Sequence, residues 1–289
     1  MKRVGIIGHP VAHSLSPIFQ EAAFRETGLD ARYELWDTPL VGLRERVHSL
    51  RTPETLGANV TIPHKEAVVP MLDELGGQSA RVGAVNTIVN RDGRLFGFNT
   101  DGPGFVAALR NEAAFDVSGR SILLLGAGGA ARGIAFALAD ARAHLVGIAN
   151  RSAERAHRLV SDVQAAAGAA AYFRPGDSLA RFDCVVNCTS IGMHGGPAPS
   201  ALPVDVDRLG PSVLAVDIVY VPEITPFLRA AQARGLRTLG GLPMLIYQGA
   251  LAFELWTGVT APAEAMTTAA RAELQRRASI ASVAKGAPE

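Results

Sequence analysis

Residues 121–131 constrain this chain more than any other stretch. Ile122-Leu123-Leu124-Leu125 is an apolar run without polar alternation, the pattern of a central parallel strand covered on both faces. Gly126-Ala127-Gly128-Gly129-Ala130-Ala131 follows it directly and opens a helical pattern over Ala130–Ala139. This is the G-x-G-x-x-A form of the dinucleotide-binding loop, in the strand-loop-helix context the motif needs. Gly126 permits the tight turn, Gly128 lets a pyrophosphate approach the backbone, Ala131 lets helix and strand pack closely, and the helix N-terminus faces the anion. A plain βα turn remains the alternative.

The next predicted strand, His144–Ala149, ends in Asn150-Arg151-Ser152, where an NAD-binding unit places an acid for the ribose diol. No acid stands there. Arg151, with Arg155 one helical turn on, offers guanidinium groups to a 2′-phosphate, which favours NADP over NAD; the alternative is a pair of solvated arginines. Helix Ala153–Ala166 and strands Ala170–Phe173, Cys184–Asn187, Val213–Val216 and Arg237–Leu239 continue the alternation that makes a parallel sheet.

The amino-terminal part alternates in the same way. Strands are expected at Val4–Ile7, Tyr33–Trp36 and Ala58–Val60, and amphipathic stretches at Ser16–Thr27, Val41–Leu50 and Lys65–Leu72. Ser16-Pro17 reads as a helix N-cap and first-turn proline. Ala84–Val89 and Leu95–Phe98, around Arg91-Asp92-Gly93, read as a hairpin. Four hydroxyl- and amide-rich clusters sit in the loops and strand ends: His13-Ser14-Leu15-Ser16, Asn59-Val60-Thr61 with His64-Lys65, Asn86-Thr87, and Asn99-Thr100-Asp101. Each alone is also what a cap or turn looks like; four within one hundred residues point to a ligand surface. Lys65, past a proline-bearing loop, and Asp101, closing the hairpin before a glycine turn, form a pair able to manage a proton and to titrate as a unit. An ordinary surface ion pair is the alternative. His13 and His64 read as structural or positioning residues.

At 289 residues the chain holds about two ordinary domains, with the first boundary near Gly102–Gly104. A net charge of +1 excludes a field that would attract nucleic acid or an anionic membrane. Cys184 and Cys188 lack the further ligands of a zinc site, so no metal is expected, and they read as buried thiols of a reducing compartment. No targeting segment is visible, and a cytoplasmic location is expected. The uncharged stretch after Arg237 is too short to span a membrane and reads as a buried loop and helix start. Helices are expected from Leu242 to Trp256 and from Pro262 to about Gln275, before a disordered tail over 278–289.

Taken in order, these blocks resemble the shikimate/quinate dehydrogenase family from Val4 to about Gln275. Further support comes from Asn187-Cys188-Thr189-Ser190-Ile191-Gly192-Met193, Asp217-Ile218-Val219-Tyr220 and Met244-Leu245 with Gln248. The resemblance implies an α/β chain of two domains with a cleft between. One is a mainly parallel-sheet substrate domain of residues 1–103, completed by helices in 241–277. The other is a Rossmann-like NADP domain of residues 104–240. It implies reversible, NADP-dependent reduction of 3-dehydroshikimate to shikimate in chorismate and aromatic amino-acid synthesis, by a monomer or homodimer.

Matched positions put Ser14, Ser16 and Tyr220 at the substrate carboxylate and Thr61, Asn86, Lys65, Asp101 and Gln248 around the ring hydroxyls. Lys65 and Asp101 would be the catalytic pair, Met244 would lie near the nicotinamide, and Thr189 would belong to the cofactor site. The chain departs from the family pattern at Phe19-Gln20 (His-Asn is common), Ser152 (Thr), Pro243 (Gly) and Gly249 (Ala). Relatives that accept quinate often carry Thr where this chain has Ser16. The alternatives are a quinate/shikimate dehydrogenase and a non-catalytic sensor, which would be expected to have lost Lys65 or Asp101.

Overall fold

The computed structural model describes residues 1–174 and 176–286. In chain order the elements begin with β1 (Lys2–Gly8), α1 (Ser16–Thr27), β2 (Ala31–Asp37), α2 (Leu43–His48), β3 (Thr55–Val60), β4 (Glu74–Leu75), α3 (Ser79–Val82), β5 (Thr87–Arg91) and β6 (Arg94–Phe98). Then come α4 (Asp101–Ala113), β7 (Ser121–Leu125), α5 (Gly129–Asp140), β8 (Leu145–Ala149), α6 (Ala153–Ala167), β9 (Ala170–Tyr172), β10 (Cys184–Asn187), β11 (Leu214–Asp217), α7 (Pro226–Ala233) and β12 (Arg237–Leu239). The chain closes with α8 (Leu242–Thr257) and α9 (Ala263–Gly286). Two compact units result: Met1–Thr100 with Gly249–Glu289, and Asp101–Gln248. Among the described residues no helix is long and apolar enough to cross a membrane.

The sheet of the first unit has the order β2-β1-β3-β5-β6-β4. β1 runs parallel to β2 and β3, β4 runs parallel to β6, and β3-β5-β6 is antiparallel. This direction pattern brings the carboxyl ends of β1, β3 and β6 and the start of β5 to one edge. The β5–β6 hairpin turns at Asp92 and Gly93, both with positive φ, the backbone that matches strand twist in a two-residue loop. Ile7, Trp36, Leu43, Val60, Ile88 and Leu95 form the core beneath. The expected amphipathic stretch Lys65–Leu72 is not an α-helix: Pro70 limits it to a 3₁₀ turn at Val69–Met71. Strand β4 and helix α3 are too short to leave a periodic signal.

The sheet of the second unit is parallel throughout, in the order β12-β11-β10-β7-β8-β9. Renumbered from β7, this is the doubly wound order 3-2-1-4-5-6, whose direction reverses between β7 and β10. Leu123, Leu125, Phe182, Val185 and Phe227 lie in its core.

Three expectations change. Asp101 does not close the hairpin before a glycine turn; it is the first residue of α4, and the units divide after Thr100 and after Gln248. Gly102 and Gly104 are helical, and glycine stands there because neighbouring backbone leaves no room for a side chain. A Cβ at Gly102 would stand 2.3 Å from the Gly133 carbonyl oxygen, and one at Gly104 would stand 2.5 Å from the Gln248 nitrogen. Second, α9 runs to Gly286, past the expected end near Gln275, so residues 278–286 are helical and not a disordered tail. From Ala278 to Lys285 there is neither Gly nor Pro to stop it. Residues 287–289 of that tail lie outside the described residues. Third, Ser16 is not the N-cap: Leu15 holds that place, and the Ser14 hydroxyl accepts from the Ser16 N–H at 3.1 Å.

One ion pair ties β1 to β2. Arg3 donates to Glu34 through Nε at 3.0 Å and Nη2 at 2.7 Å, and the Trp36 indole donates to the same carboxylate at 2.8 Å. The Arg3 guanidinium, more than any other group, holds the Glu34 carboxyl down at about 2, against an ordinary value of 4.5. A depressed carboxyl stabilises the fold above its unfolded value and loses that contribution as pH falls through the folded one. Wild type should therefore lose stability relative to Glu34→Gln as pH is lowered from 4.5 toward 2. Urea denaturation of both proteins at steps across that window measures the difference; parallel stability curves would contradict it.

Candidate functional site

The polar clusters of the first unit lie where its strands end. The loop after β1 carries Ser14, which is half-buried, and leads into Ser16 at the start of α1, which is buried. After β3 the chain turns sharply: Thr61 N–H bonds the Ile7 carbonyl at 2.9 Å and His64 N–H bonds the Thr61 carbonyl at 2.9 Å. The fully buried His64 donates through Nε2 to the Thr38 carbonyl at 2.6 Å, while its Nδ1 has no partner. That bond ties the turn carrying Thr61 and Lys65 to the chain just after β2. The Lys65 carbonyl in turn accepts from Val85 N–H at 2.8 Å, joining this turn to the strand-end segment of Asn86.

Asn86 is the centre of the edge. Its Oδ1 accepts from Thr100 N–H at 2.7 Å and from the Thr87 hydroxyl at 3.1 Å, and its Nδ2 donates to the Thr100 hydroxyl at 2.9 Å. The Asn59 amide donates to the Asn86 carbonyl at 3.2 Å and to the Thr87 hydroxyl at 3.3 Å, and accepts from the Tyr33 phenol at 2.7 Å. These groups are all buried. Ser14, Ser16, Thr61, Lys65 and Asn86 belong to the first unit, in loops and strand ends; Asp101, Tyr220 and Gln248 belong to the second unit. Tyr33 had no functional reading from sequence, because a tyrosine in an apolar run looks like any strand former.

In the second unit the glycine loop occupies the place where strand order reverses. Gly126 has φ +122 and lies so close to the next loop that a Cβ would stand 3.1 Å from the Cys188 carbonyl oxygen and 3.2 Å from Thr189 Cγ2. Thr189 therefore abuts the fingerprint loop. At Gly128 and Gly129 the space a side chain would fill is open, and α5 starts there with no side-chain cap and no acid in its first turn. Open amide-lined space at an uncapped helix N-terminus fits a pyrophosphate. Asn150 Nδ2 donates to the Ser152 carbonyl at 3.0 Å, and Ser152 caps α6 by accepting from Arg155 N–H. Serine here keeps the hydroxyl that Thr would supply. Arg151 and Arg155 are both exposed, and Glu154 between them is held by Arg158 at 2.7 Å. These residues fit the 2′-phosphate of NADP.

A second polar network backs this face. Asp217, fully buried at the end of β11, accepts from Asn187 Nδ2 at 3.0 Å, Val219 N–H at 3.0 Å and the Thr225 hydroxyl at 2.7 Å. Burial pushes its carboxyl up, and those hydrogen bonds oppose the shift. Asn187 Oδ1 accepts from the Thr189 hydroxyl at 2.6 Å, so Asp217 orders the Thr189 loop as well as the turn leading to Tyr220. Met244 and Gln248 are buried on α8, with Gln248 Nε2 donating to the Leu245 carbonyl at 2.8 Å. Both cysteines are free thiols, Cys184 buried and Cys188 partly so.

The chain matches family models described as "Shikimate dehydrogenase substrate binding domain" over residues 6–88, "Shikimate / quinate 5-dehydrogenase" over 108–229 and "Shikimate 5'-dehydrogenase C-terminal domain" over 241–271. It is 46% identical over 260 residues to the shikimate dehydrogenase (NADP(+)) of Geobacillus kaustophilus, covering 89% of this chain and 93% of that one. The chain belongs to the shikimate dehydrogenase family. Among solved structures, shikimate 5-dehydrogenase from Thermus thermophilus, in complex with NADP(H) and shikimate, is 43% identical with a TM-score of 0.85 over 94% of this chain and 99% of that chain. Quinate dehydrogenase from Corynebacterium glutamicum, in complex with NAD, is 30% identical with a TM-score of 0.86 over 93% and 98%.

Three of the departures from the shikimate dehydrogenase pattern form one contact. A Cβ at Gly249 would stand 2.5 Å from a ring carbon of the fully buried Phe19, and Gln20 Nε2 donates to the Gly249 carbonyl at 2.9 Å. The larger Phe19-Gln20 and the smaller Gly249 compensate each other. Pro243 falls in the first turn of α8, where a missing N–H costs no helix bond. Gly249→Ala should lower stability by about 1–3 kcal/mol through overpacking. Phe19→Leu in the same chain should recover part of that loss in urea denaturation. Strictly additive losses would contradict the compensation.

Proposed function

We propose that this protein is an NADP-dependent shikimate dehydrogenase that reversibly reduces 3-dehydroshikimate to shikimate. The observation that carries the proposal is that a chain of this family keeps both halves of the chemistry. An open glycine cradle with Arg151 and Arg155 suits a phosphorylated dinucleotide, and a strand-end edge of hydroxyls and amides suits a polyhydroxy acid. When bound, NADPH would supply the hydride for the reduction, leaving NADP+, which would accept it in the reverse direction. Ser14 and Ser16, with Tyr220, take the carboxylate, which also gains from the nearby start of α1. Thr61, Asn86 and Gln248 hold the ring hydroxyls. Lys65 and Asp101 give the proton to the C3 oxygen as the carbonyl is reduced and take it back in the reverse direction. Met244 and Thr189 flank the coenzyme. The free thiols suit the reducing cytoplasm.

Lys65→Met should lower kcat by about 10²–10⁴ with much less change in KM, the result expected for loss of a proton-transfer group. Asp101→Asn should also lower kcat, and the double variant should lose less than the two effects combined. Near-native turnover in Lys65→Met would return that side chain to an ordinary surface role. A protein that binds shikimate but shows no absorbance change at 340 nm with either coenzyme would be a sensor.

Two choices remain within the reaction. Arg151→Ala should weaken NADP by about 1.5–3 kcal/mol, the worth of a charge-assisted hydrogen bond, and leave NAD almost unaffected. Equal losses for both would contradict the coenzyme assignment. Quinate carries an extra C1 hydroxyl beside the carboxylate, and left unpaired in a buried pocket it costs about 1–3 kcal/mol. With Ser16 in place, shikimate should be preferred about tenfold or more in kcat/KM, and Ser16→Thr should narrow the gap. Comparable wild-type values for the two acids would favour a quinate/shikimate dehydrogenase.

A further inference from the structure

We propose that Tyr33 is a positioning residue, acting through Asn59 and Thr87 to hold Asn86 in place at the strand-end edge. The direction of each hydrogen bond in this path follows from donor bookkeeping. The Tyr33 phenol has one hydrogen, and its partner at 2.7 Å is Asn59 Oδ1, which only accepts.

With Oδ1 committed to Tyr33, the Asn59 amide nitrogen must face the Asn86 carbonyl and the Thr87 hydroxyl, at 3.2 and 3.3 Å. A flipped Asn59 would set its oxygen against a carbonyl oxygen. Thr87, accepting from Asn59, sends its own hydrogen to Asn86 Oδ1 at 3.1 Å. Every donor from Tyr33 to Asn86 therefore points the same way. Burial pushes the Tyr33 phenol well above its ordinary titration range, so it remains a donor.

Packing does not require the hydroxyl. The ring meets Trp256 at 6.3 Å between centroids and 54°, a contact phenylalanine would also make. The oxygen has work only in the polar path.

This inference rests on the reading of Asn86 as a substrate contact, and the experiment separates the two. KM for shikimate, KM for NADP+, kcat and melting temperature are measured for Tyr33→Phe, Asn59→Leu, their double variant and Asn86→Ala. Each of the first two should raise KM for shikimate about tenfold, the loss of one well-formed buried hydrogen bond, and leave KM for NADP+ within about twofold. The double variant should be no worse than Asn59→Leu alone, since both cut one path. An unchanged or lower shikimate KM in Tyr33→Phe overturns the proposal, as does a lowered melting temperature with unaltered kinetics or full additivity in the double variant. If Asn86→Ala also leaves that KM unchanged, the failure belongs to the substrate reading.

Discussion

Polar groups carried into the end of a buried sheet must be satisfied there, because each one left without a partner costs as much as several good contacts return. Both units of this protein answer that constraint with an asparagine at a strand end. In the first, Asn59 ends its side chain's choices by taking Tyr33 as donor, and it orders Thr87 and Asn86 beyond. In the second, Asn187 bridges Asp217 and the Thr189 loop. The loops that hold the candidate ligand groups are consequences of these pairings.

The two networks differ in charge, and the difference follows from what each supports. The first is built from neutral amides and hydroxyls, which suits an edge proposed to present directed donors and acceptors to a substrate. The second closes on a buried carboxylate with three donors around it, a tighter knot beside a loop that must hold its shape against the glycine cradle. Removing one donor from the first redirects hydrogen bonds. Removing the carboxylate from the second would take an acceptor from three donors at once.

Much of this was legible in the residues because periodicity reports it directly. The strands Cys184–Asn187 and Arg237–Leu239 and the helix Ser16–Thr27 fall where pattern and proline place them. The strand-loop-helix setting of the glycine loop was readable because glycine spacing and its flanking patterns are local. The reading failed where tertiary contact decides. Gly102 and Gly104 look like a turn until the backbones of Gly133 and Gln248 are seen beside them. Tyr33 looks like a strand residue until its hydroxyl partner is known. The exchange of bulk between Phe19 and Gly249 spans 230 positions of sequence, beyond any local pattern.

The central claim is a division of labour: the neutral amide edge serves the acid and the glycine cradle serves the dinucleotide. Hydrogen–deuterium exchange with each ligand added alone tests it directly. Shikimate should slow exchange in peptides covering 13–16, 59–65 and 86–100, and NADP+ should slow exchange over 126–131, 150–155 and 187–192. Protection of 126–155 by shikimate alone, or of 59–65 by NADP+ alone with none from shikimate, would contradict the account.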